Sequence, residues 1–154
     1  MSGKAPDLKV QADGLRIAVI AASWHREITE QMSRDAVEAI TAAGGHAEQM
    51  SVAGSFELPV AAQAVLAAGY DAAVCLAVIV RGETPHFDYV ADAVTQGLTR
   101  VQLDAAKPVG FGVLTVDNDE QAHARSGLPG SREAKGREAA EAALHLAMLT
   151  HRLR

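Results

Sequence analysis

A single cysteine, Cys75, in 154 residues rules out an internal disulfide, and its place within an apolar run reads as core rather than nucleophile. A reduced, cytoplasmic setting fits that usage. No run of roughly eighteen uncharged apolar residues occurs, and the N-terminus shows neither a basic leader with a long apolar core nor a cleavage site. The expectation is a soluble, unexported protein. A basic surplus is also missing: the formal net charge is -5, which argues against nucleic acid and anionic membranes as partners, since both require a positive field. Walker, GxGxxG, CxxC, HExxH and GxSxG motifs are all absent, which removes the commonest nucleotide, redox, zinc and serine-nucleophile chemistries. His25, His46, His123, His145 and His151 have no metal-ligand spacing, so neither a metal nor a cofactor is expected.

Aromatics make up only 4% of the chain, whereas alanine supplies much of a 49% hydrophobic fraction, ample for one core. Slim alanine-rich helices can pack closely on a sheet. They also leave apolar faces that an oligomer could cover. Residues 1–13 are polar and aperiodic and read as a tail, free or docked on a neighbour; the domain is expected over 14–154.

Residues 15–22 form a short apolar run typical of a strand buried on both faces. A helical pattern follows, with Ile28, Met32, Ala36, Ile40 and Ala43 on one face and a stop at Gly44-Gly45. The unit then recurs. A strand at 46–52 leads to a turn at Gly54-Ser55, with Ser55 as N-cap of a helix over 56–68 ended by Gly69. A strand at 72–80 precedes a helix opened by Thr84 as cap and Pro85 at its first position. A fourth strand spans 109–116. Asn118 and Gln121 have capping-box spacing for a short helix stopped by Gly127, and Ser131 can cap a last helix running through Leu149. This alternation predicts an α/β fold: a flavodoxin-like, three-layer α/β/α sandwich around a four-stranded parallel sheet.

In such sheets ligands bind beyond the carboxyl ends of the strands, and the unusual residues fall there. Trp24, after the first strand, reads either as a core or interface residue or as a stacking platform for a flat heterocycle. Glu57 reads as a helix-start carboxylate or as an acceptor for a polyol. Gly82 permits close backbone approach, and the amides around Glu83 and Thr84, at a helix N-terminus, offer an anion site. His86 then sits in the first helical turn as a solvent-facing residue or a proton carrier beside that anion. Arg125 and Lys135 flank the break at Gly127 to Gly130, as helix-end cations or as a phosphate clamp.

The run Arg81-Gly82-Glu83-Thr84-Pro85-His86-Phe87-Asp88-Tyr89-Val90 resembles the signature of 6,7-dimethyl-8-ribityllumazine synthases. Gly54-Ser55-Phe56-Glu57-Leu58-Pro59, Phe111-Gly112-Val113-Leu114-Thr115, Glu120-Gln121-Ala122 and Lys135-Gly136 follow in that family's order and spacing. The resemblance extends from about Gly14 to the C-terminus. It implies condensation of 5-amino-6-(D-ribitylamino)uracil with 3,4-dihydroxy-2-butanone 4-phosphate, the penultimate step of riboflavin biosynthesis and a transferase-class reaction. By the same resemblance Trp24 stacks on the pyrimidine, Ser55, Phe56 and Glu57 receive the ribityl chain, and backbone groups of Val78, Ile79 and Val80 meet the pyrimidine edge. Gly82, Glu83 and Thr84 hold the keto-phosphate, Arg125 assists from an adjacent subunit with Lys135 close by, and Phe111 of the neighbour closes the apolar side. His86 matches the acid/base residue. The implied partners are small-molecule substrates and further copies of the chain.

The sequence departs from the family's commonest pattern at Trp24-His25, where Phe-Asn is usual, and at 115–119, which lacks two of the usual threonines. The connection over 128–134 is longer than in shell-forming relatives. That favours a free homopentamer over a decamer or a 60-subunit shell. A binding protein without synthase activity and a structural shell-former are the competing classes.

Overall fold

The computed structural model describes residues 3–154; of the expected tail, Met1 and Ser2 lie outside the described residues. Its elements alternate as β1 (Arg16–Ala22), α1 (Arg26–Ala42), β2 (His46–Val52), α2 (Leu58–Ala67), β3 (Ala72–Val80), α3 (His86–Ala105), β4 (Val109–Val116), α4 (Asp119–Ala124) and α5 (Lys135–Leu153). The strands form one sheet in the order β2-β1-β3-β4, and every pairing is parallel. Helices cover both faces, giving the three-layer sandwich.

Strand sequences explain that order. β3 is buried from Ala72 to Ile79 and β1 from Ile17 to Ile20, so neither tolerates a solvated face and both take central places. β2, HAEQMSV, mixes polar His46, Glu48, Gln49 and Ser51 with partly buried Ala47, Met50 and Val52 and has no fully buried residue, as suits an edge. Alternate side chains divide between two cores. Ile17, Val19, Val74, Leu76 and Val78 meet α1 and α5. Ala18, Ile20, Ala73, Cys75, Ala77 and Ile79 meet α2 and α3. Complete burial pushes the Cys75 thiol up to about 12, which leaves it an inert filler of that second core.

Close backbone contact depends on a few glycines. A Cβ at Gly136 would collide with the Met32 backbone where α5 crosses α1, and one at Gly110 would lie 2.7 Å from the Ala139 carbonyl oxygen. Before β1, residues 3–12 form no helix or strand, yet Ala12 is buried and its amide donates to the Ala43 carbonyl at 2.7 Å. Among the described residues, no helix is long and apolar enough to cross a membrane.

Three helix starts differ from the sequence reading. Ser55 does not cap a helix; Ser55–Glu57 tightens into one 3-10 turn, and α2 begins at Leu58 without a side-chain cap. Thr84 and Pro85 are displaced by one position: Pro85 is the N-cap and His86 the first helical residue, with the Thr84 hydroxyl accepting from the His86 amide at 3.4 Å. Ser131 does not cap α5. Its amide donates to the Leu128 carbonyl in a turn, and a bridge between Ser126 and Ala134 holds the chain non-helical up to Lys135. Asn118 does cap, its side-chain oxygen accepting from the Gln121 amide at 2.9 Å, although the Gln121 side chain reaches back to Asp117 rather than to Asn118. That short helix ends at Ala124, before Gly127, while α5 continues past Leu149 to Leu153.

Candidate active site

A cleft of about 760 Å³ opens at the carboxyl ends of β1, β2 and β3. Its position follows from strand length. β3 pairs with β1 only as far as Leu76, opposite Ala21, but with β4 as far as Val80, opposite Val116. The edge of Val78, Ile79 and Val80 that faces β1 therefore has no strand partner among the described residues. Peptide groups on that edge can hydrogen-bond a planar ligand lying where β1 has ended.

Trp24 forms one wall from the β1–α1 turn. The Ser23 hydroxyl donates to the Val52 carbonyl at 2.7 Å, and the Ser23 amide donates to the Ala53 carbonyl at 3.3 Å, tying that turn to the end of β2. His25 then caps α1 in a left-handed conformation, φ 55 and ψ 52, which non-glycine residues adopt at a cost. The indole is 70% exposed, so in the single chain it is a free aromatic surface and not core.

Across from it, Gly54 lies between the indole and Glu57. A Cβ there would stand 3.2 Å from Glu57 Oε1 and 3.5 Å from both Cδ1 and Nε1 of Trp24. Gly54 is extended, at φ -145, so its value is space and not torsional freedom. The Glu57 carboxylate beside an aromatic wall, with Ser55 and Phe56 adjoining, offers hydrogen-bond acceptors to a hydroxylated chain.

The third wall is the β3–α3 turn. Gly82 and Thr84 line the cleft, and nothing lies within 4 Å of a Cβ placed on Gly82. The amides of Gly82, Glu83 and Thr84 donate to no acceptor among the described residues, so they remain available to an anion ahead of the 20-residue helix α3. His86 lines the same cleft from the first position of that helix, within the reach of a group bound at the turn.

The cleft thus gathers Trp24, Ser55, Phe56, Glu57, Val78, Ile79, Val80, Gly82, Thr84 and His86. Glu83 is exposed within the turn but does not line the cleft. Phe111, on edge strand β4, is 47% exposed over a shallow hollow between β4 and α3. Arg125 borders a separate cleft beside residues 3–7, with its guanidinium donating to the Gln121 carbonyl at 2.9 Å. Lys135 is held by Glu138 at 3.0 Å and Glu133 at 3.4 Å. Burial lowers its ammonium pKa, but those two carboxylates outweigh that effect and leave it raised, so it stays charged. Phe87, Tyr89 and Val90, part of the signature run but given no site role from the sequence, and Ala93 also line the cleft. His86, Tyr89, Val90 and Ala93 stand at i, i+3, i+4 and i+7, and that shared helical face was the signal available.

Comparison with known proteins decides the family. The sequence model of 6,7-dimethyl-8-ribityllumazine synthase matches residues 14–151. The chain belongs to the 6,7-dimethyl-8-ribityllumazine synthase family. It is 52% identical over 158 aligned positions to the lumazine synthase of Clavibacter michiganensis subsp. michiganensis, covering 100% of this chain and 99% of that one. The lumazine synthases of Kineococcus radiotolerans and Streptomyces avermitilis are 53% and 52% identical, each across 94% of this chain and 91% of theirs. Those matches span every strand and nearly the whole of the last helix, so the cleft lies entirely within the lumazine synthase region. The chain is accordingly an enzyme of the lumazine synthase kind.

Proposed function

We propose that this enzyme condenses 5-amino-6-(D-ribitylamino)uracil with 3,4-dihydroxy-2-butanone 4-phosphate to 6,7-dimethyl-8-ribityllumazine, in riboflavin biosynthesis. The observation that carries the reading is one cleft that joins an aromatic wall, unpaired strand-end peptide groups, a carboxylate and an amide-rich turn beside a histidine. Each matches one part of the substrate pair. Trp24 stacks on the pyrimidine while the edge of Val78 to Val80 reads its amide groups. Ser55, Phe56 and Glu57 accept the ribityl chain, and Gly82, Glu83 and Thr84 bind the phosphate.

In this mechanism the pyrimidine's 5-amino group attacks the ketone and an imine forms with loss of water. His86 moves protons as inorganic phosphate leaves. The ribitylamino nitrogen then closes the second ring with loss of another water. Amines and ketones react readily, so most of the acceleration comes from holding the two partners together.

Phe111 and Arg125 lie outside the cleft, and we infer that an adjacent subunit supplies both, with Lys135 supporting Arg125. Exposed Val60, Leu103 and Phe111 offer apolar surface to such a neighbour. Five copies in a closed ring, with residues 14–154 as the enzyme domain and 1–13 as a tail, complete the reading; native mass measurement counts the copies.

Arg125→Ala should raise KM for the keto-phosphate roughly tenfold, the value of one charge-assisted contact of about 1.5 kcal/mol, and leave KM for the pyrimidine unchanged. Equal KM values for the keto-phosphate in variant and parent would remove the clamp. The pyrimidine site has its own test. Trp24 is the sole tryptophan, so saturating the protein with the pyrimidine alone should quench its fluorescence. Unaltered emission at saturation would contradict stacking.

A further inference from the structure

We propose that Arg81 is a positioning residue that braces the anion-binding turn against the β4–α4 turn and, through it, sets the placement of Arg125. The inference rests on the reading of residues 82–84 as a phosphate site. Arg81 immediately precedes that turn but does not itself line the cleft. Its amide donates to the Val116 carbonyl at 2.8 Å, fixing the turn's start to the end of β4. Its guanidinium engages three groups at once: Nε donates to Asp117 Oδ1 at 2.9 Å, one terminal nitrogen pairs with Asp88 at 3.5 Å, and Cζ lies 4.4 Å from the centre of the Phe87 ring.

Those partners belong to two different segments. Asp88 and Phe87 belong to the first turn of α3, directly after His86, and Phe87 lines the cleft. Asp117 belongs to the β4–α4 turn. From there the connections continue: the Asp117 amide donates to the Gln121 side chain at 2.7 Å, and the Gln121 carbonyl accepts from the Arg125 guanidinium at 2.9 Å. Arg81, Asp117, Gln121 and Arg125 thus form one unbroken chain of contacts. It links the turn that binds phosphate in one subunit to the arginine which that same subunit lends to its neighbour.

A planar guanidinium is required here. Only a fork with a flat face can stack on Phe87 and hold two carboxylates together, which an ammonium cannot do. Arg81 is about half exposed, and so is each carboxylate or more, so no single contact is strong. Their joint effect is geometric: they limit where the turn and α4 can sit.

Charge and position can be separated by experiment, because the strut contains both signs. Arg81→Gln, Asp117→Ala, which removes the carboxylate that accepts from Arg81, and the double variant are compared with the parent in the assembled enzyme. Two quantities are read: KM for each substrate, and the calorimetric Kd of inorganic phosphate. Bracing predicts that both single variants raise KM for the keto-phosphate and the phosphate Kd by roughly three- to tenfold, within the reach of exposed ion pairs and a cation–π contact. KM for the pyrimidine stays unchanged, and the double variant is no worse than either single one, since both break the same strut. A pure charge effect predicts the opposite sign for Asp117→Ala, which removes a negative group near an anion. Tighter phosphate binding in that variant, or unchanged values in Arg81→Gln, overturns the proposal. So does an equal rise in both KM values with a lowered Tm, the mark of general destabilisation. If the parent forms no lumazine yet the phosphate Kd responds as stated, the proposed reaction falls and the brace stands.

Discussion

His86→Ala should lower kcat by roughly ten- to a hundredfold and leave the thermal midpoint almost unmoved. General acid-base help is typically worth on the order of a hundredfold to ten-thousandfold, and this reaction belongs at or below the lower end because its bond-forming partners react readily once held together. Stability is spared because the side chain is exposed, and substitution of such a residue usually stays within about 0.5 kcal/mol. Steady-state turnover with both substrates saturating makes the comparison. A variant as fast as its parent would take His86 out of the mechanism and leave positioning alone.

The largest effect on folding is expected far from the cleft. Gly136→Val should cost about 3 kcal/mol or more in urea or thermal denaturation. A Cβ at this position meets the backbone carbonyl oxygen, carbonyl carbon and Cα of Met32, and backbone cannot rotate aside as a side chain can. Overpacking a core commonly costs about 1–3 kcal/mol, and a backbone obstacle belongs at the upper limit. Removing glycine from a helix returns at most about 1 kcal/mol, which is too little to offset the clash. Gly82→Val is the matched control, for nothing lies within 4 Å of its Cβ. It should fold normally while, on the proposed role of residues 82–84, binding the keto-phosphate less well, because a side chain would fill the open space beside that turn. Equal stability of Gly136→Val and its parent would show that α1 and α5 can separate without penalty.

Strands were the most legible part of the sequence. Residues 72–80 are uniformly apolar because β3 is central and covered on both faces, and the structure has a strand over Ala72–Val80. The run 15–22 predicted β1 to within one residue for the same reason. Helix starts were less legible because a capping residue announces a helix only if the backbone turns there. At Ser55 the chain first makes a 3-10 turn, and at Ser131 it is held by a turn to Leu128 and the bridge from Ser126 to Ala134. Both are short-range turns that a capping residue read by itself does not announce.

The cleft shows the same division. Trp24, Gly54 and Glu57 were legible as residues that follow strands, yet their convergence around one α-carbon depends on how the β1 and β2 ends are tied through Ser23. Arg81 carried a plain signal of charge beside glycine. Its engagement with Asp117, 36 residues away in sequence, could only emerge once β3 and β4 were paired to their ends.

The most direct measurement mixes the purified protein with 5-amino-6-(D-ribitylamino)uracil and 3,4-dihydroxy-2-butanone 4-phosphate, following lumazine fluorescence and released phosphate against a sample without protein. Condensation in this cleft predicts that both signals rise together, in equal amounts and far faster than in the control. Identical rates with and without the protein would contradict it.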